Sequence, residues 1–152
     1  MSRYIRRVLD VRARELLDRP GLLGVVCTSR ADGSPQANPV WFRRDGATIR
    51  IWTDEARRWV SNLQRTPRVA FSVHENSSPW ASVSLRGQAG IDGSGPRDVL
   101  DEIRRISARY LPDNDIDAYI GAWPQTRSIV TIVPSAVFAA QAFEDPVADR
   151  RG

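Results

Sequence analysis

Arg57 and Arg58 are the residues whose type and position in this chain best suit ligand chemistry. They follow a strand-like segment that ends at Thr53, and they lie in the first turns of a short amphipathic segment that begins at Asp54. A helix N-terminus exposes unpaired N–H groups with partial positive charge, and arginine adds charged, forked donors that match phosphate. The pattern therefore predicts an anion-binding helix start. Two solvated arginines on an exposed helix face would give the same local pattern, so both interpretations stay open.

Other reactive side chains are scarce. The chain has one histidine, His74, and one cysteine, Cys27, and all 22 of its basic residues are arginine. Without lysine there is no Schiff-base or P-loop lysine, and a zinc site needs three or four suitable ligands. We interpret His74 as structural, because it ends an apolar run just before a turn. Such a chain is either a binding protein or an enzyme whose chemistry resides in a cofactor.

Length and composition indicate one globular domain. The chain has 152 residues, 41% of them hydrophobic and 26% charged, with a net charge of +4, values typical of a globular protein. We expect a single domain over residues 1–144 and a polar tail over 145–152. The arginines are scattered among acids, which argues against nucleic acid as a partner. No membrane span or secretory signal is evident, and a single cysteine favours the reducing cytoplasm.

Hydrophobic periodicity predicts a mainly β chain with about three helices. Helical patterns cover residues 2–19, 54–66 and 94–111, with a short helical piece at 115–122, and Asp54 is the expected N-cap of the second helix. Alternating or apolar runs predict strands at 22–28, 47–53, 68–74, 80–91, 127–133 and 136–143. Tight turns at 32–33 and 45–46 join neighbouring strands. We interpret the set as a six-stranded antiparallel split barrel.

Three residues predict local irregularities in this barrel. Pro35 and Pro39 restrict the return segment 35–42 to an edge, a bulge or a broken strand, since proline cannot donate to a sheet ladder. Gly87 lies inside a long strand pattern and predicts a bulge or a close backbone approach.

Several ordered motifs carry a family resemblance over nearly the whole chain. They are GVVCT at 24–28, ADGSPQ at 31–36, NPVWF at 38–42, NLQRTPRVA at 62–70, LRGQA at 85–89 and the segment 123–137 that begins WPQTR. In this order they resemble the pyridoxamine 5'-phosphate oxidase-like split-barrel superfamily, which binds FMN or coenzyme F420. The likeness is strongest to its actinobacterial F420-dependent branch.

The resemblance implies a homodimer with FMN or F420 at the subunit interface. The cofactor phosphate would lie at the helix start, the ring would lie along two strands, and residues around Gln88 with Trp123 and Arg127 of the second copy would complete the pocket. The implied cofactor-binding residues are Pro39, Val40, Trp41, Trp52, Thr53, Arg57, Arg58, Trp59, Asn62, Gln88, Trp123 and Arg127. No metal ligands are implied.

Trp59 departs from the family pattern, because many relatives carry a phosphate-binding lysine at this position. Its spacing with Val60 and Leu63 favours a core anchor, whereas the resemblance places it at the mouth of the cofactor site. We favour the mouth, since the first helical turns must face the ligand if Arg57 and Arg58 are to reach it.

The function implied is hydride transfer between F420 and a small organic substrate, with no side chain acting as nucleophile. An FMN-dependent oxidoreductase of the same fold is one alternative. A non-catalytic flavin- or haem-binding protein is another, with His74 as the candidate haem ligand. Tyr110, Tyr119 or water could supply a proton, and the sequence specifies neither the donor nor the substrate.

Overall fold

The computed structural model describes residues 9–92, 96–123 and 126–141, which form a mostly β fold with four helices in these ranges. The strands are β1 (Gly24–Ser29), β2 (Pro35–Val40), β3 (Phe42–Asp45), β4 (Thr48–Asp54), β5 (Arg68–His74), β6 (Ala81–Asp92) and β7 (Arg127–Gln141). The helices are α1 (Val11–Leu17), α2 (Arg58–Arg65), α3 (Pro96–Ser107) and α4 (Asp113–Gly121). No helix in these ranges is long and apolar enough to cross a membrane.

The strands form one antiparallel sheet in the order β2-β1-β5-β6-β7-β4-β3. The two edge strands, β2 and β3, follow each other in the chain and are separated only by Trp41. Since a single residue joins opposite edges, the sheet must curl until these edges approach each other. The result is the expected split barrel, and we call the line where its edges meet the seam.

The described residues contain seven strands, whereas the sequence predicted six. Of the three alternatives predicted for segment 35–42, an edge position and a break are confirmed, because β2 and β3 are the edge strands, with β2 ending at Val40 and β3 beginning at Phe42. The two strands expected at 127–133 and 136–143 are instead one strand, β7, as far as residue 141, and Phe143 lies outside the described residues. Pro134 fits within β7 because it faces Gly87 at a shift in the β6–β7 register.

Gly87 is required at this bulge. A Cβ atom at Gly87 would collide with the backbone carbonyl of Val133. The predicted close backbone approach is therefore confirmed. It is possible because Gly87 has no side chain and because Pro134, which faces it, has no N–H group.

The first helix is shorter than its pattern predicts. Asp10 has an extended backbone (φ −77°, ψ 176°), and its side chain accepts a hydrogen bond from the Ala13 N–H at 2.9 Å. The prediction of a continuous helix through Asp10 is therefore wrong, and α1 begins at Val11. Residues 2–8 lie outside the described part. The short piece at 115–122 is a fourth helix, α4. The described part of the chain also excludes residues 94–95, at the predicted start of α3, and the tail 145–152.

Two apolar clusters hold these elements in place. The larger fills the barrel, is covered by α1 and α2, and includes Leu17, Phe42, Ile51 and Phe71. The smaller packs α3 and α4 against the outer side of the sheet around Ile129. The second cluster matters for function because it brings α4 to the seam.

Candidate functional site

A cleft of about 300 Å³ opens at the seam of the barrel. It collects the end of β2, the seam residue Trp41, the end of β4, the start of α2 and the C-terminal part of α4. Its described lining residues are Leu23, Asn38, Pro39, Val40, Trp41, Trp52, Thr53, Asp54, Arg57, Trp59, Tyr119 and Trp123.

Trp41 is clamped between two tyrosines. Its ring lies 4.7 Å from that of Tyr110, at an interplanar angle of 7°, and 4.8 Å from that of Tyr119, at 24°. Aromatic pairs at these distances contribute about 0.5–1.5 kcal/mol beyond their buried area. The stack therefore fixes one wall of the cleft and ties α4 to the chain break between β2 and β3.

Trp52, Tyr119 and Trp123 continue this wall with edge-on contacts. The Trp52 ring lies 6.1 Å from that of Tyr119 and 5.8 Å from that of Trp123, at near-perpendicular angles. Tyr119 and Trp123 are 5.7 Å apart. The cleft thus has a nearly continuous aromatic lining that suits a flat, conjugated ligand.

The polar end of the cleft lies at the start of α2. Arg57 is the N-cap of this helix and makes no side-chain capping bond within the described part of the chain. Its guanidinium lies 5.5 Å from the centre of the Trp123 ring, an attractive cation–π distance. A charged donor and a helix start therefore meet beside the aromatic wall, which is an arrangement suited to an anion.

Asp54 is the last residue of β4, not the expected N-cap of α2. Its Oδ1 accepts hydrogen bonds from the Ala56 N–H at 2.9 Å and from the Thr126 hydroxyl at 2.6 Å. The hydrogen bond from Thr126, followed by that from Ala56, holds the pKa of Asp54 below its usual range. Asp54 therefore shapes the turn before α2 and adds a negative charge to the cleft.

Trp59 and Asn62 face inward from α2. Trp59 is only 2% exposed, belongs to the main core and forms part of the cleft floor. The core-anchor interpretation is therefore confirmed, and Trp59 also lines the cleft, as the favoured interpretation expected. The Asn62 side chain is also buried and donates to Thr28 Oγ1 at 2.9 Å and to Gln36 Oε1 at 3.1 Å.

The structure distinguishes the two tyrosines that the sequence left equivalent. The Tyr110 hydroxyl donates to the Leu22 carbonyl at 2.8 Å and accepts from the Phe42 N–H at 3.2 Å, so it is occupied in holding the fold. Tyr119 lines the cleft, and burial raises the pKa of its hydroxyl while a hydrogen bond from Trp123 partly offsets this rise.

Most of the residues expected from the resemblance meet in the cleft of their own chain. These are Pro39, Val40, Trp41, Trp52, Thr53, Arg57, Trp59 and Trp123. The resemblance assigned Trp123 to a second copy, but its contacts with Trp52 and Tyr119 place it beside the cleft of the same chain.

Four expected residues lie outside the described lining: Arg58, Asn62, Gln88 and Arg127. Arg58 and Gln88 are exposed. The Arg127 guanidinium donates to the Ile120 carbonyl at 2.7 Å and the Trp123 carbonyl at 3.4 Å, so it supports the C-terminal end of α4.

Four lining residues were not among the expected cofactor-binding residues: Leu23, Asn38, Asp54 and Tyr119, the last of which was expected only as one possible proton donor. Asn38 had a detectable signal, because it adjoins Pro39 and alternates with Val40 on one face of the broken strand. Tyr119 had none, since its place beside Trp41 depends on how α4 packs.

Metal chemistry finds no support in the described ranges. They contain no group of three or more histidine, cysteine, aspartate or glutamate side chains that could hold an ion. His74 is exposed at the end of β5 and is absent from the described lining of the cleft.

Comparisons with known proteins agree with this architecture. Residues 9–140 match the sequence model of the family described as pyridoxamine 5'-phosphate oxidase. A structure described as an F420 reductase is 29% identical, with 82% of this chain and 94% of that chain covered and a TM-score of 0.64. The comparison with curated proteins gives no match.

More distant structures share the fold alone. A conserved hypothetical protein from Mycobacterium tuberculosis is 20% identical, with 93% of this chain and 90% of that chain covered and a TM-score of 0.71. A putative pyridoxamine 5'-phosphate oxidase from Listeria innocua is 18% identical, with 79% and 89% covered and a TM-score of 0.61.

Proposed function

Because this chain belongs to the pyridoxamine 5'-phosphate oxidase family, we propose that it is an oxidoreductase that holds coenzyme F420 or FMN in the seam cleft. The observation that carries the proposal is the aromatic cleft with a helix start and Arg57 at one end. A ligand with a flat ring and a phosphorylated side chain has the two chemistries that such a site would bind.

The residues present fit such a cofactor. The volume of about 300 Å³ is at the lower limit of ordinary ligand pockets, about 300–1,000 Å³, and suits a ring system whose chain extends outward. Trp41, Trp52 and Trp123 would hold the ring, and Arg57 with the start of α2 would hold phosphate. The lysine that many relatives use is replaced by buried Trp59, so Arg57 has to supply the charge.

F420 is favoured over FMN by one observation. The structure described as an F420 reductase is 29% identical over 82% of this chain, while the putative oxidase is 18% identical. FMN remains the second candidate because the family as a whole includes flavin-binding members. Haem binding has no supporting observation, since exposed His74 lies outside the described cleft lining.

A bound flavin or deazaflavin supplies hydride transfer to a small organic substrate. The chain itself would bind and orient: the Tyr110–Trp41–Tyr119 stack keeps the wall rigid, and the tryptophans exclude water from one side of the ring. Tyr119 would hold a proton in the cleft, because a tyrosine hydroxyl is protonated at neutral pH, and burial raises its pKa further.

We also propose a homodimer that completes the site. The sheet face opposite the barrel core carries small, incompletely buried side chains, in the row Val25–Ser72–Ser84 across β1, β5 and β6. This face can pack against a second copy, and members of this family are commonly dimeric. Gln88 lies on the same face of β6. From there its side chain would extend across the proposed interface toward the cleft of the second copy.

The absorption spectrum of the purified protein, followed by titration with F420 and with FMN, tests the cofactor. We expect saturable binding of F420, monitored by the change in its absorption and fluorescence, with weaker binding of FMN. Tighter binding of FMN would select the second candidate. Binding of neither compound by folded protein would reject the proposed function.

Replacing Arg57 and Arg58 separately tests the phosphate site. We expect Arg57→Ala to weaken cofactor binding by about 1.5–3 kcal/mol, the usual contribution of a hydrogen bond to a charged group. Arg58→Ala is the matched control, because Arg58 is exposed on the next position of the chain and lies outside the described lining. Equal losses in the two variants would show that general charge, rather than Arg57, attracts the cofactor.

A further inference from the structure

Asp54 and Arg57 are the only charged residues in the described lining of the cleft, and their charges have opposite signs. Asp54 is the last residue of β4, and Arg57 is the residue directly before α2. Both therefore lie at the polar end of the cleft, where the phosphate of a bound cofactor would be. A phosphate at this end meets one positive and one negative side chain.

The carboxylate of Asp54 is held in place by its neighbours. Its Oδ1 accepts hydrogen bonds from the Thr126 hydroxyl at 2.6 Å and from the Ala56 N–H at 2.9 Å. An aspartate is ionised at neutral pH, and accepting such bonds favours the ionised form further. The Arg57 charge is close enough to act on this carboxylate. Asp54 therefore keeps a full negative charge near the arginine that would hold phosphate.

Little other positive charge is available at this end of the cleft. Position 59, where many relatives carry a phosphate-binding lysine, is buried Trp59. Arg58 and Glu55 are exposed, lie outside the described lining and have opposite charges. The Arg127 guanidinium is directed to the carbonyls at the end of α4. Since a helix start contributes only about half a unit charge, the polar end is weakly positive.

A weakly positive site favours a singly charged phosphate. The cost of removing an ion from water rises with the square of its charge, whereas its attraction to the site rises only in proportion to that charge. A phosphate monoester such as that of FMN carries about −1.5 to −2 at neutral pH, and the phosphodiester of F420 carries one negative charge. Asp54 offsets the attraction that would have to compensate the higher cost of the monoester.

We propose that Asp54 makes this cleft select a singly charged phosphodiester over a doubly charged phosphate monoester. This inference rests on the proposed function and deepens it. The aromatic wall would accept the ring of either cofactor, so the ring alone does not separate them. Asp54 is then the residue that disfavours FMN and permits F420.

Three ligands with one ring test this selection: riboflavin, FMN, and riboflavin 5'-methyl phosphate, a diester. In fluorescence titrations at about pH 7.5, where the monoester is doubly charged, the wild type should bind the diester roughly threefold to tenfold more tightly than FMN, the size of one charge–charge interaction at a partly exposed site. Tighter binding of FMN by the wild type would overturn the inference and leave the proposed function intact.

Asp54→Asn removes the charge and keeps an Oδ1 that can accept from Ala56 and Thr126. FMN should gain more affinity than the diester, so the preference should fall to about twofold or less, while riboflavin binding stays unchanged. Asp54→Ser, whose hydroxyl can also accept from the Ala56 N–H, is the second variant and should behave alike. The wild-type preference in both variants would overturn the inference.

Glu55→Gln is the matched control. It removes the same charge one residue further along, at an exposed position outside the described lining. Its remaining Oε1 can still accept the hydrogen bond from Ser128. We expect the wild-type preference for the diester to persist. An equal loss in Glu55→Gln would show that general surface charge, rather than Asp54, sets the preference.

Lowering the pH provides a second readout on the wild type. A phosphate monoester loses its second charge below its pKa of about 6, whereas the charge of the diester does not change. The Thr126 and then the Ala56 hydrogen bond hold the pKa of Asp54 below its usual range, so this carboxylate stays ionised. Arg57 and Tyr119, the titratable groups of α2 and α4 in the lining, keep their protons. The preference for the diester should therefore vanish at about pH 5, and an undiminished preference there would contradict the charge argument.

Deazaflavins decide the case of a protein that binds no flavin. F420 is then compared with the same ring and polyol chain without phosphate, and Asp54→Asn should tighten only F420. Unchanged F420 binding in that variant would overturn the inference alone. Folded wild-type protein that binds neither flavins nor deazaflavins would reject the proposed function, and the inference with it.

Discussion

Single residues at the start of α2 have separate tasks that their sequence order does not reveal. Arg57 and Arg58 are both exposed, but Arg57 lines the described cleft and lies over Trp123, whereas Arg58 is outside that lining. Trp59 turns into the core with 2% of its surface exposed. Arg57 is the extended N-cap, and the 100° advance per residue of the helix separates Arg58 from Trp59. Since β4 continues to Asp54, the helix begins later than expected, and this delay decides which side chain faces which environment.

Trp59→Lys is expected to destabilise the fold by roughly 4–5 kcal/mol, because it buries an unpaired ammonium in the core. Thermal and urea unfolding measure the loss, and Trp59→Phe, which keeps an apolar ring, should lose much less. A variant with lysine that melts near the wild-type temperature and binds cofactor more tightly would instead place position 59 at an accessible mouth.

The element that decides the shape of the site is α4. This helix brings Tyr119 to Trp41, and the residue after its C-terminal turn, Trp123, to Trp52. Arg127, at the start of β7, donates to the carbonyl of Ile120, in the last turn of α4, and to that of Trp123, just beyond this helix. Arg127 is therefore a positioning residue, acting on the aromatic wall through the backbone.

Arg127→Met should lower stability by about 1–3 kcal/mol and loosen Trp123, since the side-chain stem remains but the donors are lost. Near-ultraviolet circular dichroism should weaken, and cofactor affinity should fall with it. Arg104→Met is the control, because Arg104 forms an exposed ion pair with Asp117, of the kind worth about 0–1 kcal/mol. An unchanged aromatic spectrum in Arg127→Met would contradict the positioning role.

At the scale of the whole molecule, the candidate site lies at the seam, the line along which the barrel closes. A sheet whose first and last strands are joined through Trp41 has its closure line beside that residue, and the ends of β2 and β4 lie there together. The free sheet face on the other side of the barrel wall carries Ser72 and Ser84, whose hydroxyls are 3.2 Å apart. The proposed dimer would cover this face.

Ser72→Arg should give a monomer in sedimentation velocity and weaken cofactor binding, while the fold is retained because the side chain points away from the core. Ser77→Arg, an equal change at the exposed β5–β6 connection, should leave the dimer intact. A wild-type protein that sediments as a monomer at micromolar concentration would remove the interface. Dimerisation that persists in Ser72→Arg would place the interface on another face.

Local chemistry by itself determined much of the barrel. Proline at 35 and 39 restricted their strand to an edge of the sheet, Gly33 and Gly46 supplied the positive φ of their hairpin turns, and Gly87 allowed the close approach of β7. These features depend on one residue's backbone freedom or missing N–H, which is a property visible in the sequence. The absence of lysine likewise excluded chemistry that needs a Schiff-base or P-loop lysine, whatever the fold.

Only the tertiary structure decided the roles that depend on partners distant in the chain. Asp54 shapes a turn instead of capping α2 because its carboxylate accepts from Thr126, 72 residues away. Tyr119 enters the cleft and Tyr110 does not, because Tyr119 stacks on Trp41 from α4 whereas Tyr110 stacks on it from the turn after α3. No local pattern contains these contacts, since folding alone brings the groups together.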